Sequence, residues 1–410
     1  VSDTGSRGTS YRGLFAVREF RFLYPAIALS HLGNQLAAVA VSVLVFDRTG
    51  SKLLTAVAYA SAWLPALLGG PLLGPLADRF RRRTVMVTCD LFRAALIGSL
   101  VIPGMPLWLA IALLYLAHLA TPPATASRSA MLPEILSGDI YILGSGLNIV
   151  TFQVSQILGF AAGGIAVTLV GAKTTLLINA CTYLLSAILV RYGIKQRPAP
   201  QLASVDRPSY LKDLSAGVRY VFGDGWLRGC LLLVWLSSAF AYAPEAIAYP
   251  YARELGHATA AAGLMLAAPA VGHVVGTVLL TRIIKPGLRD RLLVPLAVLA
   301  CAVLMVAFFS PPYPVVLVML CVGGFGASFA SPLNAMFVRR VSDDYRGRAN
   351  GVAIAGLTAG QGLGFLLAGA LGSVLGNLAL TIGICGLAGT VASLVAGTVW
   401  RRSMARSTQA

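Results

Sequence analysis

Residues 22–46 read FLYPAIALSHLGNQLAAVAVSVLVF, without one Asp, Glu, Lys or Arg. As a helix rising 1.5 Å per residue this run would reach about 38 Å, enough to cross the roughly 30 Å of hydrocarbon in a bilayer. One such run could be a core helix, but here they recur. Comparable segments lie near 53–77, 84–102, 107–127, 140–171, 172–192, 227–254, 259–284, 291–310, 312–338, 347–376 and 378–400, which predicts twelve spans. The chain is 57% hydrophobic and 11% charged, against about a quarter charged in a soluble domain, so it lacks the polar side chains to cover a soluble surface. Only helices and closed barrels satisfy the backbone in lipid. No ten-residue alternation of the barrel type recurs, so the expected fold class is an all-α polytopic membrane protein. The first run follows a polar, basic stretch without a small-residue cleavage site, and is read as a retained span.

A net charge of +17 raises the question of nucleic acid, and the placement of the basic residues argues against it. With the N-terminus inside, 27 of the 32 Lys and Arg fall in cytoplasmic segments, four (Arg48, Lys52, Lys173, Arg253) fall outside, and Arg93 lies within a span. The positive-inside rule then places both termini in the cytoplasm and requires an even number of spans. The expected divisions are a tail over residues 1–21, a six-helix bundle over 22–192, a linker over 193–226 whose second half is an amphipathic helix, a second bundle over 227–400 and a tail over 401–410. The halves resemble each other: QILGFAAGG (156–164) parallels QGLGFLLAG (361–369), and PATASRSAMLPE (123–134) parallels PLNAMFVRRVSD (332–343). Two repeats predict pseudo-symmetric bundles suited to opening alternately to either side.

The six cysteines fall in or beside apolar spans without metal-like spacing, and are read as packing residues. The chain has no P-loop, no His-Glu-x-x-His and no Gly-x-Ser-x-Gly, so no cofactor, metal or enzymatic activity is expected. Gly-xxx-Gly pairs at 159/163, 360/364 and 372/376 are assigned to close helix packing.

The charges are concentrated in GPLADRFRRR, residues 74–83. This resembles the loop between spans 2 and 3 of the major facilitator superfamily, matching at Gly74, Leu76, Ala77, Asp78, Arg79, Arg82 and Arg83, with Arg81 where that pattern has a second Gly. RSAMLPEIL, CDLFRA and RGRANG are similar to stretches of the twelve-span bacterial drug:proton antiporters related to macrolide and siderophore exporters. The resemblance implies a multi-pass protein of a bacterial inner membrane, a small-molecule substrate, protons as coupling ion and a monomer. Asp78 at the membrane edge, with Gly74, Arg79, Arg82 and Arg83, reads as a conformational latch whose partners change between two packings. The second half has Thr281 before Arg282 and no acid there, so the latch is one-sided.

Only Asp90 and Glu245 lie well inside apolar sequence, where an ionised side chain costs at least about 2.5–3.5 kcal/mol. Asp90 has Arg93 at i+3, so an ion pair is the simplest account, and both join the latch. Glu245 has no basic residue within a turn. An apolar site without a cation favours the neutral acid over the carboxylate, making Glu245 the proton-coupling candidate. Trp235, Ser238, Tyr242, Glu245 and Tyr249 share one stripe if the segment is helical, although Pro244 and Pro250 imply a break or bend. Further stripes are His31, Asn34 and Gln35 in span 1 and Tyr115, His118, Thr121 and Thr125 in span 4. The resemblance implies that spans 1, 4, 7 and 10 line a central cavity; Phe152, Gln156 and Gln361 are added from spans 5 and 11. The function expected is proton-coupled efflux of amphipathic or lipophilic compounds. Asn34 stands where related exporters often have Asp, and Phe160 where a Pro is usual, so uptake or facilitated diffusion of a nutrient stays open, as does a non-transporting receptor or lipid-handling protein.

Overall fold

The structure is a computed structural model that describes residues 11–74, 76–199 and 210–409; the side chains of residues 71, 78, 210–214 and 405–409 lie outside that description. The Pro-rich part of the linker, residues 200–209, is likewise outside it. Every regular element among the described residues is helical.

The chain divides into two compact units, residues 1–40 with 65–205 and residues 41–64 with 206–410. The first holds α1 (Tyr11–Ala16), most of α2 (Arg18–Thr49), α4 (Leu64–Leu73), α5 (Leu76–Arg79), α6 (Arg82–Ser99), α7 (Leu107–Leu119), α8 (Thr121–Ile135) and α9 (Asp139–Gly193). The second takes the end of α2 and α3 (Lys52–Ala60), then α10 (Tyr210–Gly223), α11 (Gly225–Ala241), α12 (Ala248–Glu254), α13 (Thr259–Val278), α14 (Pro286–Ala302), α15 (Tyr313–Ala327), α16 (Ala330–Arg340), α17 (Arg346–Leu375) and α18 (Leu378–Gln409).

Among the described residues ten helical stretches are long and apolar enough to cross a membrane. One of them, α9, has 55 residues, about 83 Å of helix, too long for one crossing. It breaks at Gly171, whose φ of 81° is open to glycine and costly for other residues. α6 has the length of a span, but Arg82, Arg83, Asp90 and Arg93 make it more polar than the rest. With α9 counted twice and α6 included, the helices are consistent with twelve crossings.

In the first unit Leu14 of α1 and Phe20, Leu23 and Ile27 of α2 pack with Met86, Met131, Leu132 and Val190 in one apolar cluster. In the second unit Leu227, Leu231, Leu293, Leu333, Phe337 and Trp400 tie together α11, α14, α16 and α18. The amphipathic α10 belongs to this unit: Tyr220 stacks on Tyr345 with centroids 4.4 Å apart, and its hydroxyl accepts the N–H of Ser342 at 3.2 Å.

Candidate functional site

Each unit has its own polar centre. In the first, Asp90 on α6 is fully buried. Arg128 Nη2, from α8, reaches both its carboxylate oxygens at 3.1 Å and the Ser30 hydroxyl at 2.9 Å, and the Ser186 hydroxyl donates to Asp90 Oδ2 at 2.7 Å. Arg93 Nη1 stands farther off, 3.9 Å from Oδ1. The expected i+3 pair is therefore the weaker contact, because the Arg93 guanidinium turns towards α2 and α9. It donates to Asn34 Oδ1 at 2.9 Å and to the Tyr183 hydroxyl, and its central carbon lies 4.1 Å from the Tyr183 ring centroid, within cation–π range. Tyr183 in turn donates to Asn34. One carboxylate and two guanidinium groups thus bind α2, α6, α8 and α9 together, with hydroxyls and an amide adding further hydrogen bonds, while the buried Arg128 Nε has no hydrogen-bond partner among the described residues. A buried charge group needs partners of this kind to be tolerated. Asn34 is accordingly a member of this network.

The remaining latch residues lie at the helix ends. Arg82 pairs with Glu134 and donates to the Ala130 carbonyl at 3.0 Å, while Arg83 donates to the Arg191 carbonyl. Arg79 is exposed, and Gly74 closes a turn by donating its N–H to the Gly69 and Gly70 carbonyls at 3.2 and 3.0 Å. The side chain of Asp78 lies outside the described residues.

Of the span 1 candidates, His31 meets Phe152 edge to face at 5.2 Å, and Gln35 lies against Gly159. Gln156 and Tyr115 are half-buried. His118 is bonded through Nδ1 to the carbonyl of Leu114 in its own helix, 2.9 Å away. The span 4 stripe crosses a junction at Ala120, where α7 ends and α8 begins.

In the second unit the proline-rich segment interrupts its helix. α11 ends at Ala241, residues Ala243–Ile247 form a 3-10 turn with Pro244 at its start, and α12 resumes at Ala248. Pro244 has no N–H to offer the preceding turn. The tighter turn rotates the positions beyond it, so the stripe is not continuous. Trp235 donates to the Ala353 carbonyl at 3.0 Å on α17, Ser238 is buried, and Tyr249 donates to Asp47 at 2.7 Å. Glu245 lies in the 3-10 turn and accepts the Tyr59 hydroxyl at 3.0 Å. Tyr59 is itself fixed, stacked on Trp63 at 5.1 Å and edge-on to Phe365 at 5.2 Å. Among the described residues no basic side chain forms an ion pair with Glu245. The hairpin around Gly50 is pinned to the same unit by Lys52, which donates to the Gly376 carbonyl at 2.7 Å and lies 3.8 Å from Glu254, and by the Leu53 N–H on Ser373 at 3.0 Å. Gln361 on α17 is half-buried. Tyr59, Arg128, Tyr183 and Ser186 are the partners that sequence reasoning did not single out. Arg128 carried the one available signal, a guanidinium beside an apolar run.

One unit thus holds its buried acid with guanidinium groups and the other with a phenol. A profile of the Major Facilitator Superfamily matches residues 23–322 and 246–410. The chain belongs to the major facilitator superfamily. Among facilitator relatives it is 30% identical over 364 residues to the multidrug efflux pump Tap of Mycobacterium tuberculosis (strain ATCC 25618 / H37Rv), covering 84% of this chain and 85% of that one. It is 22% identical over 236 residues to macrolide efflux protein A of Streptococcus pyogenes, covering 57% and 58%. A crystal structure of a POT family transporter in complex with 5-aminolevulinic acid superposes with a TM-score of 0.75 at 10% identity over 98% of this chain and 99% of that one. The facilitator fold makes this protein a multi-pass membrane transporter for small molecules. Among the described residues no group of three or more His, Cys, Asp or Glu side chains is placed to hold a metal.

Proposed function

We propose that this facilitator exports amphipathic or lipophilic small molecules in exchange for protons, with Glu245 as the proton carrier. The observation that carries the coupling is the Glu245–Tyr59 contact, a carboxyl inside a span with a phenol as partner. Such a group can take up or release a proton without stranding an opposite charge. The efflux direction and substrate class rest on the likeness to Tap and to macrolide efflux protein A. The membrane potential supplies roughly 2.3 kcal/mol per charge per 100 mV, enough for one exchanged proton to drive a useful gradient. His31, Gln35, Tyr115, His118, Phe152, Gln156 and Gln361 are the proposed cavity residues of a monomer with both termini in the cytoplasm. Two six-span halves alternate access, with the arginine-rich turn after Gly74 as the latch.

The test is uptake of a drug panel into everted vesicles, which is the outward direction of the cell, with and without a proton gradient. Glu245→Gln should abolish the gradient-dependent component while substrate binding persists. Undiminished coupled transport by this variant would remove Glu245 from the role.

A further inference from the structure

Where α11 begins and α16 ends, beside residues 399–403 of α18, three arginines converge on a cleft of about 470 Å³ lined by Trp226, Arg228, Arg340, Val399 and Arg402, with Asp224 as its acid. The carboxylate of Asp224 is already committed. Oδ1 caps α11 by accepting the N–H groups of Trp226 and Leu227 at 2.7 and 3.2 Å, and Oδ2 takes Arg340 Nε at 3.4 Å. Arg340 also lies 5.3 Å from the Trp226 ring centroid, which fixes its guanidinium at the wall. Arg228 has a long 3.4 Å bond to the Phe222 carbonyl. Among the described residues neither Arg228 nor Arg402 has an acidic partner. The cleft therefore keeps an excess of positive charge.

The first unit has a corresponding cleft of about 550 Å³, where α2 begins and α8 and α9 end, lined among others by Arg18, Glu19, Lys195 and Arg197. There two acids answer one of the bases: Arg197 lies 2.7 Å from Glu19 and 3.6 Å from Glu134. The two repeats have the same recess with three basic side chains each, but among the described residues two acids stand against the first set and Asp224 alone against the second. Its position adds the rest. The cleft is at the ends of three spans, on the face that the charge asymmetry predicts to be cytoplasmic, and Val399 continues from it onto an exposed apolar helix surface. Arginine forks match phosphate oxygens, and basic recesses between spans on this face suit anionic headgroups.

We propose that this cleft binds the phosphate of an anionic phospholipid, with Arg228 and Arg402 on its oxygens, Arg340 as a fixed cation behind them and the acyl chains of the lipid leaving along Val399. The full-length protein in detergent is titrated with phosphatidylglycerol or phosphatidylcholine and read by native mass spectrometry. The parent should retain phosphatidylglycerol in preference. Each basic residue near an anionic surface contributes about fivefold to attraction, so R228Q/R402Q should lose about twenty-five-fold in phosphatidylglycerol affinity, while R18Q/K195Q in the first cleft changes it less than about twofold. Equal affinity of parent and R228Q/R402Q, no lipid preference in the parent, or displacement of the lipid by millimolar inorganic phosphate would each overturn the proposal. A photoactivatable phosphatidylglycerol on the parent alone gives an answer independent of variant folding: labelling of residues 224–228 or 399–403 supports the site, and labelling confined elsewhere rejects it.

Discussion

In the first unit Asp90 has Arg128 on both carboxylate oxygens, Ser186 beside it and Arg93 behind; in the second, Glu245 has one phenol. Both acids lie within helical spans, and both are hydrogen-bonded to a residue distant in sequence. The difference is in what each would leave behind on changing its charge. Protonating Asp90 would strand two buried guanidinium groups, whereas protonating Glu245 strands none. The first arrangement is a fastener between four helices, and the second is a group free to exchange.

The largest effect should come from breaking the fastener. Arg128→Ala leaves Asp90 buried with only the distant Arg93 as cation, and should destabilise the protein by about 3–5 kcal/mol, read as a lowered melting temperature in detergent. Loss of this size is not expected of Glu245→Gln, which keeps an acceptor for Tyr59; similar melting shifts for the two variants would erase the contrast.

An intermediate effect tests what holds the second unit together where charges do not. A Cβ on Gly364 of α17 would run into the Ala239 carbonyl of α11. Gly364→Val should therefore cost about 1–3 kcal/mol by forcing the helices apart, checked by the same melting assay and by loss of monodisperse elution. Tyr59→Phe removes a single hydrogen bond and should cost only about 0.5–1.5 kcal/mol, yet alter the pH profile of coupled transport. A changed stability with an unaltered profile would make Tyr59 a packing residue alone. Smallest is Glu254→Gln at the hairpin, which keeps an acceptor for the Leu378 N–H and removes only a 3.8 Å pair with Lys52, worth about 0.2–1 kcal/mol; the shift in melting should shrink further at high salt.

The spans were legible in the sequence because hydrocarbon thickness imposes a length and a composition that each segment must meet alone. Both buried acids were legible for the same reason. Their partners were not, since Arg128 and Tyr59 reach Asp90 and Glu245 across 38 and 186 residues of chain. Asp90 shows the limit of local reasoning: Arg93 at i+3 was the nearest cation by spacing, but cation–π and amide contacts to Tyr183 and Asn34 drew its guanidinium away. The stripe through Trp235, Tyr242 and Tyr249 failed as a continuous face because it assumed 3.6 residues per turn through a segment that Pro244 converts to three. Asn34 read as a cavity residue because nothing local announces a guanidinium arriving from α6.

Gly171 has a bearing on how the chain can vary. Space around its missing side chain is open, with nothing within 4 Å of where a Cβ would stand, so a replacement there would collide with nothing and suffer only in torsion, by roughly 1–2 kcal/mol. The junction between the two halves of α9 is then one residue long. A reporter or epitope inserted at that point would have no slack to draw on and would have to unwind a helix end to be displayed.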